Sequence, residues 1–76
     1  MVTPVDQHVA RRIRGKRRAL GLSADSVAKA LGVEPTLIAA YERGEEPVPC
    51  AHLVRLGEIL DVPIDYFFPS GSRGEP

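Results

Sequence analysis

Six of the chain's ten cationic side chains fall within eight residues: Arg11, Arg12, Arg14, Lys16, Arg17 and Arg18. Guanidinium groups at this density suit one kind of chemistry, charge-assisted hydrogen bonding to phosphate or carboxylate oxygens. A cation cluster supplies affinity for a polyanion without choosing among sequences. The plainer reading of Arg11, Arg12, Arg14, Lys16 and Arg18 is a solvated helix face, and both readings stay open at this point. Bond-making chemistry has fewer candidates. Ser23, Ser26, His8, His52 and Cys50 form no nucleophile–base set with a third, orienting group. Cys50 opens a helix, and a small helix-start residue explains it. A single cysteine forms no internal disulfide, and no Cys/His cluster has zinc-ligand spacing. The sequence therefore predicts no enzyme activity, no metal and no cofactor.

The acids lie mostly after the basic run: Asp25, Glu34, Glu42, Glu45, Glu46, Glu58, Asp61, Asp65 and Glu75. Formal net charge is zero, unusual for a nucleic-acid binder. With 76 residues, 43% apolar and 26% charged, the chain reads as one small globular domain. A core of that size is only marginally sufficient alone, which favours self-association. No apolar run reaches the roughly 18 residues of a membrane span, and no signal-peptide pattern opens the chain. A cytoplasmic location without membrane contact is expected.

The cations must be held by a helix. Asp6 is a candidate cap for one running to about Leu20, with Val9, Ile13 and Leu20 at helical spacing, helped by Ala10 and the Arg17 stem. Gly15 either permits a close contact or is tolerated there. Gly21 stops this helix. Ser23 caps a second one over about Ala24–Leu31, with Val27 and Leu31 facing the core and Gly32 closing it. Pro35 suits the first position of a third helix, Pro35–Arg43, ended by Gly44. Its large apolar residues are Leu37, Ile38 and Tyr41. Two short helices around a glycine turn are the sequence form of a helix-turn-helix. A loop with Pro47 and Pro49 leads to a fourth helix, about Cys50–Leu60, with Leu53, Leu56, Ile59 and Leu60 on one face. Asp61-Val62-Pro63 breaks it. A short fifth helix or turn follows at Ile64–Phe68. Residues 1–5 read as a flexible lead, 6–68 as the domain and 69–76 as a disordered tail. The predicted fold is compact, all-α and five-helical.

RIRGKRRALGLS, VAKALGV, IAAYERG and LVRLGEILDVPIDYFF, in that order, resemble the Xre-type helix-turn-helix family, which includes the Cro and phage-repressor DNA-binding domains. The resemblance covers about residues 6–68 and is greatest to small bacterial regulators. It implies a compact five-helix domain and a homodimer on palindromic double-stranded DNA. It also implies an ion pair between the first and third helices, here Arg17 and Glu42. The third helix becomes the recognition helix. Thr36, Leu37, Ala40 and Arg43 would then face the groove, and Arg11, Arg12, Arg14, Lys16 and Arg18 would contact phosphates.

Several positions depart from the family pattern. Ala24 stands where members carry a phosphate-binding Gln. Glu34, Pro35, Thr36 and Leu37 stand at base-reading positions, and Glu45 and Glu46 occupy a loop that is often basic. The alternative reading is a helix-turn-helix turned into a protein-interaction module that binds or titrates another regulator through an exposed Leu37-Ala39-Ala40 surface. Ile64, Tyr66, Phe67 and Phe68 concentrate apolar area in one turn. They are the expected dimer contact, with at least one ring capping the core.

Overall fold

The computed structural model describes residues 3–68. Four α-helices follow one another: α1 (Pro4–Ala19), α2 (Ala24–Leu31), α3 (Pro35–Glu42) and α4 (Cys50–Leu60). No strand occurs among the described residues. The expected fifth helix is a single 3-10 turn, Ile64–Phe67. Its hydrogen bonds span three residues, from Tyr66 N–H to the Pro63 carbonyl at 3.0 Å and from Phe68 N–H to Asp65 at 3.1 Å. A segment entering directly from Pro63 is too short for α-helical pairing to establish itself. The predicted tail, residues 69–76, lies outside the described residues.

The first helix starts earlier than Asp6. Thr3 is its cap, Pro4 occupies the first turn, and Asp6 closes a capping box. The Asp6 N–H donates to Thr3 Oγ1 at 3.2 Å, and the Thr3 N–H donates to Asp6 Oδ2 at 2.9 Å. Thr-x-x-Asp satisfies two backbone donors reciprocally, so Pro4 and Val5 belong to the helix rather than to a lead.

Each helix ends the same way. Just past the last turn an N–H donates back to the carbonyl five positions earlier: Leu22 to Arg17, Val33 to Ala28, Glu45 to Ala40 and Val62 to Gly57. The residue before each donor is left-handed: Gly21, Gly32, Gly44 and, without glycine's freedom, Asp61 at φ 61°. These Schellman closures satisfy end carbonyls that would otherwise lack partners. They also turn the chain sharply enough for four short helices to share one core.

That core holds Val9, Ile13, Val27, Ile38, Tyr41, Leu53, Leu56, Leu60 and Phe67, all buried. Leu20 is not among them. It is 44% exposed, because α1 stops at Ala19 and the closure carries Leu22 inward instead. Leu31 is half-buried at the edge of the core. Gly57 has a steric role that its surroundings reveal: an added Cβ would lie 2.8 Å from the Val62 carbonyl oxygen, so the 3-10 turn crosses α4 directly over it. Gly15 meets nothing within 4 Å and is simply tolerated.

Candidate nucleic-acid interface

Arg17 sits one turn past Ile13, which brings its side chain to the junction of α1 with α3. Its Nε donates to Glu42 Oε2 at 2.6 Å, its Nη2 to Glu42 Oε1 at 2.9 Å, and its Nη1 to the Leu22 carbonyl at 2.8 Å. One guanidinium therefore ties α1 to α3 and to the turn before α2. The side chains retain only 13% and 8% of their exposure. Hydrogen bonding to Glu42 raises the already high proton affinity of Arg17, and partial burial works against it. Both charges have partners, as groups this deeply placed require.

Beside this pair opens a groove of about 370 Å³ lined by Arg14, Arg17, Arg18, Ala24, Ala39, Glu42 and Arg43. The start of α2, with its free N–H groups, reaches the groove at Ala24. Ser23 caps that helix by accepting from the Ser26 N–H at 3.0 Å. Besides Arg17, which is paired with Glu42, three arginines and the α2 N-terminus thus converge from three elements, a setting that favours anions.

The basic run does not act as one surface. Residues four apart share a helix face. Arg14 and Arg18 are such a pair and line the groove. Arg12 and Lys16 are another, on the opposite flank. Arg12 stacks over the Tyr66 ring, 4.8 Å from its centroid, and its Nε donates to His8 Nε2 at 3.3 Å. Arg12 thus links α1 to the 3-10 turn. Arg11 is exposed, and Lys16 is half-buried.

On α3, Ile38 and Tyr41 are buried while Thr36 is exposed. Leu37, Ala39 and Ala40 are half-buried, and Leu37 packs against the core. The expected exposed Leu37-Ala39-Ala40 surface is therefore smaller than the sequence suggests, because α2 crosses close to this short helix. Arg43, at the α3 C-terminus, is exposed. Its Nε lies 3.0 Å from Glu45 Oε2 and its Nη2 donates to Glu45 Oε1 at 3.1 Å. The sequence marks Glu45 only as an acid in a loop that is often basic, and this pairing is not evident from it. The signal was the Arg-Gly-Glu spacing around a left-handed glycine.

Elsewhere Tyr41 and His52 join α3 to α4 through a 2.8 Å contact between the hydroxyl and Nδ1. Burial and then the charge of Glu46 push the Tyr41 hydroxyl above its ordinary pKa. Cys50 is free and exposed. Among the described residues, no three of His, Cys, Asp and Glu gather in a way that could hold a metal ion. No described helix is long and apolar enough to cross a membrane.

The C-terminal apolar set divides too. Phe67 is fully buried and packs edge-on against Tyr66, with centroids 5.8 Å apart. It belongs to the core of a single chain and is withdrawn from the expected dimer contact. Ile64, Tyr66 and Phe68 are half-buried. Ile64 lines an open cavity of about 490 Å³ together with Val54, Gly57, Glu58, Asp61, Val62 and Pro63. Val54 on its edge is 47% exposed.

A bundle in which a short helix is presented by a glycine turn, beside an arginine-lined groove, defines a class of helix-turn-helix regulators. The helix-turn-helix domain family matches residues 8–65. An uncharacterized transcriptional regulator in the ATPase CF(0) region of Rhodospirillum rubrum is 42% identical over 72 residues, covering 95% of this chain and 67% of that protein. Among solved structures, the restriction-modification controller protein C.AhdI from Aeromonas hydrophila superposes with TM-score 0.78 at 27% identity, covering 83% of this chain and 96% of that one. The P22 c2 repressor, solved in complex with a synthetic operator, gives TM-score 0.74 at 28% identity, covering 79% and 91%. The chain belongs to the Xre-type helix-turn-helix family. It spans about half the length, 47%, of a curated relative from Sinorhizobium medicae, an HTH-type transcriptional regulator.

Proposed function

We propose that the chain is a homodimeric DNA-binding transcriptional regulator in which α3 enters the major groove. Arg14, Arg18 and Arg43 grip the phosphate backbone at the edge of that groove, with Arg11 as an outlying contact. The observation that carries this reading is the convergence of Arg14, Arg18 and Arg43 with the α2 N-terminus around one open groove. Nothing in the core requires these three side chains. Thr36 is the exposed polar group at the start of α3 that can bond a base edge, while Ala40 and Leu37 offer only apolar contact to a thymine methyl. Sequence discrimination by this helix is therefore modest, and phosphate contacts supply most of the affinity.

Dimerisation is assigned to the α4 end and the 3-10 turn, where Val54, Ile64, Tyr66 and Phe68 leave apolar surface accessible on a domain with a small core. A second copy of the chain is the occupant.

The test is fluorescence anisotropy with random-sequence duplex DNA across a salt series. Binding that weakens steeply and linearly in log salt supports the reading. Absence of binding at every salt concentration overturns it. The arginine groove then becomes a docking surface for an acidic protein, a reading also favoured by the zero net charge.

A further inference from the structure

We propose that Glu45 is an internal competitor for backbone phosphate at Arg43, and that it sets how weakly the domain holds DNA of arbitrary sequence. The inference rests on the DNA-binding reading and names a residue that limits affinity rather than one that supplies it.

The geometry is specific. Both Glu45 oxygens engage the Arg43 fork, one 3.0 Å from Nε and the other accepting from Nη2 at 3.1 Å. A phosphate would use the same planar edge of the guanidinium. The two side chains are 59% and 60% exposed, so the pair can open to an incoming anion without unpacking anything.

The backbone sets the competitor in place. Gly44, at φ 71°, lies between the two residues. It is buried against α1, and a Cβ there would lie 3.4 Å from the Gln7 side chain. The Gly44 N–H donates to Tyr41 at 3.1 Å and the Glu45 N–H to Ala40 at 3.0 Å. This closure fixes the segment that carries Glu45. Hydrogen bonding from Arg43 holds the Glu45 carboxyl below its ordinary range, so the competitor is fully charged at neutral pH. Glu46, the next residue, carries the same charge without belonging to the Arg43 fork. It is a built-in control for general electrostatics.

The experiment measures affinity of the whole chain for random-sequence duplex DNA over a salt series, in Glu45→Gln, Glu46→Gln, Arg43→Ala and the Arg43→Ala/Glu45→Gln double variant. Glu45→Gln should tighten binding several-fold and steepen the slope of log K against log salt by up to about one, the value of a phosphate contact that Arg43 makes only in part while Glu45 competes for it. Glu46→Gln should tighten it less and leave the slope unchanged. When Arg43 is absent, the gain from Glu45→Gln should fall to that of Glu46→Gln. Equal effects of the two glutamate changes, or a Glu45→Gln gain undiminished by loss of Arg43, overturn the competitor while leaving the DNA-binding reading intact. Absence of binding by every protein tested, wild type included, overturns both.

Discussion

Two arginine–carboxylate pairs flank one groove. Arg17 and Glu42 both line it and form its inner wall; Arg43 lines its rim and pairs with Glu45, which lies outside the lining. Both are forked and use both carboxylate oxygens. Their chemistry is the same and their surroundings are not. The inner side chains keep 13% and 8% of their exposure, and Arg17 also reaches the Leu22 carbonyl. Removing one partner there strands a charge among packed helices. The outer side chains are more than half exposed, and water or another anion replaces either partner. Burial, not charge, decides which arginine holds the fold together and which is free to meet a ligand.

The largest expected effect lies on the inner wall. Glu42→Ala leaves the Arg17 guanidinium without its carboxylate. Such a change costs about 3 kcal/mol, the lower end of the range for breaking a buried pair, because some exposure remains. For a domain of this size each kcal/mol moves Tm by about 4–8 °C. Differential scanning calorimetry should therefore show Tm falling by more than ten degrees. A fall no larger than that of Glu45→Ala would erase the distinction between wall and rim.

A second, smaller effect concerns the joint between them. Gly44→Ala puts a side chain on a left-handed residue, at a cost of about 1–2 kcal/mol, with Gln7 close by. Urea unfolding should show a midpoint lowered by less than in Glu42→Ala. An unchanged midpoint would mean that the rim is not held in place by this turn. The complementary change is Asp61→Gly, which relieves the one left-handed position that lacks glycine among the described residues. It should raise the midpoint by up to about 1 kcal/mol equivalent.

The smallest thermal effect belongs to the rim. Glu45→Ala should leave Tm within the scatter of repeated scans, because its carboxylate is exposed and supports nothing. A clear loss of stability would make this pair structural and remove it as a site for ligand competition.

Much of the fold was legible in the sequence. Gly21, Gly32 and Gly44 mark helix ends because left-handed closures demand them, and Val9, Ile13, Ile38, Tyr41, Leu53, Leu56 and Leu60 follow from helical spacing. The misses have local causes. The Asp6 boundary overlooked Thr3 as the reciprocal partner in its capping box. Leu20 fits the spacing of α1, but the helix stops one residue short of it. Asp61 gave no warning of a left-handed closure, since Asp enters that region only with support. Gly57 is invisible as a crossing point until the 3-10 turn is placed above it. Phe67 differs from Phe68 only in direction, which four residues of 3-10 turn decide.

The candidate site was legible in composition and not in arrangement. A run of six cations looks uniform along the chain. On the helix, Arg14 and Arg18 face the groove while Arg12 stacks on Tyr66. That division depends on where α3 and the 3-10 turn pack against α1, which no local pattern encodes. Glu45 stands in the sequence as an acid in a loop that is often basic, and the structure adds that it is paired with Arg43.

The most direct test removes equal charge from the two flanks of α1. Arg14→Ala/Arg18→Ala and Arg12→Ala/Lys16→Ala each delete two cations four residues apart. Binding to random-sequence duplex DNA is then followed against salt, with circular dichroism confirming that both proteins fold. The groove pair should weaken binding strongly and reduce the magnitude of the salt slope by about 1.8, two phosphate contacts at about 0.9 each. The Arg12 and Lys16 pair should leave the slope close to that of the unmodified protein. Equal losses from both flanks, or a loss confined to Arg12 and Lys16, would contradict the assignment of the groove as the surface that meets DNA.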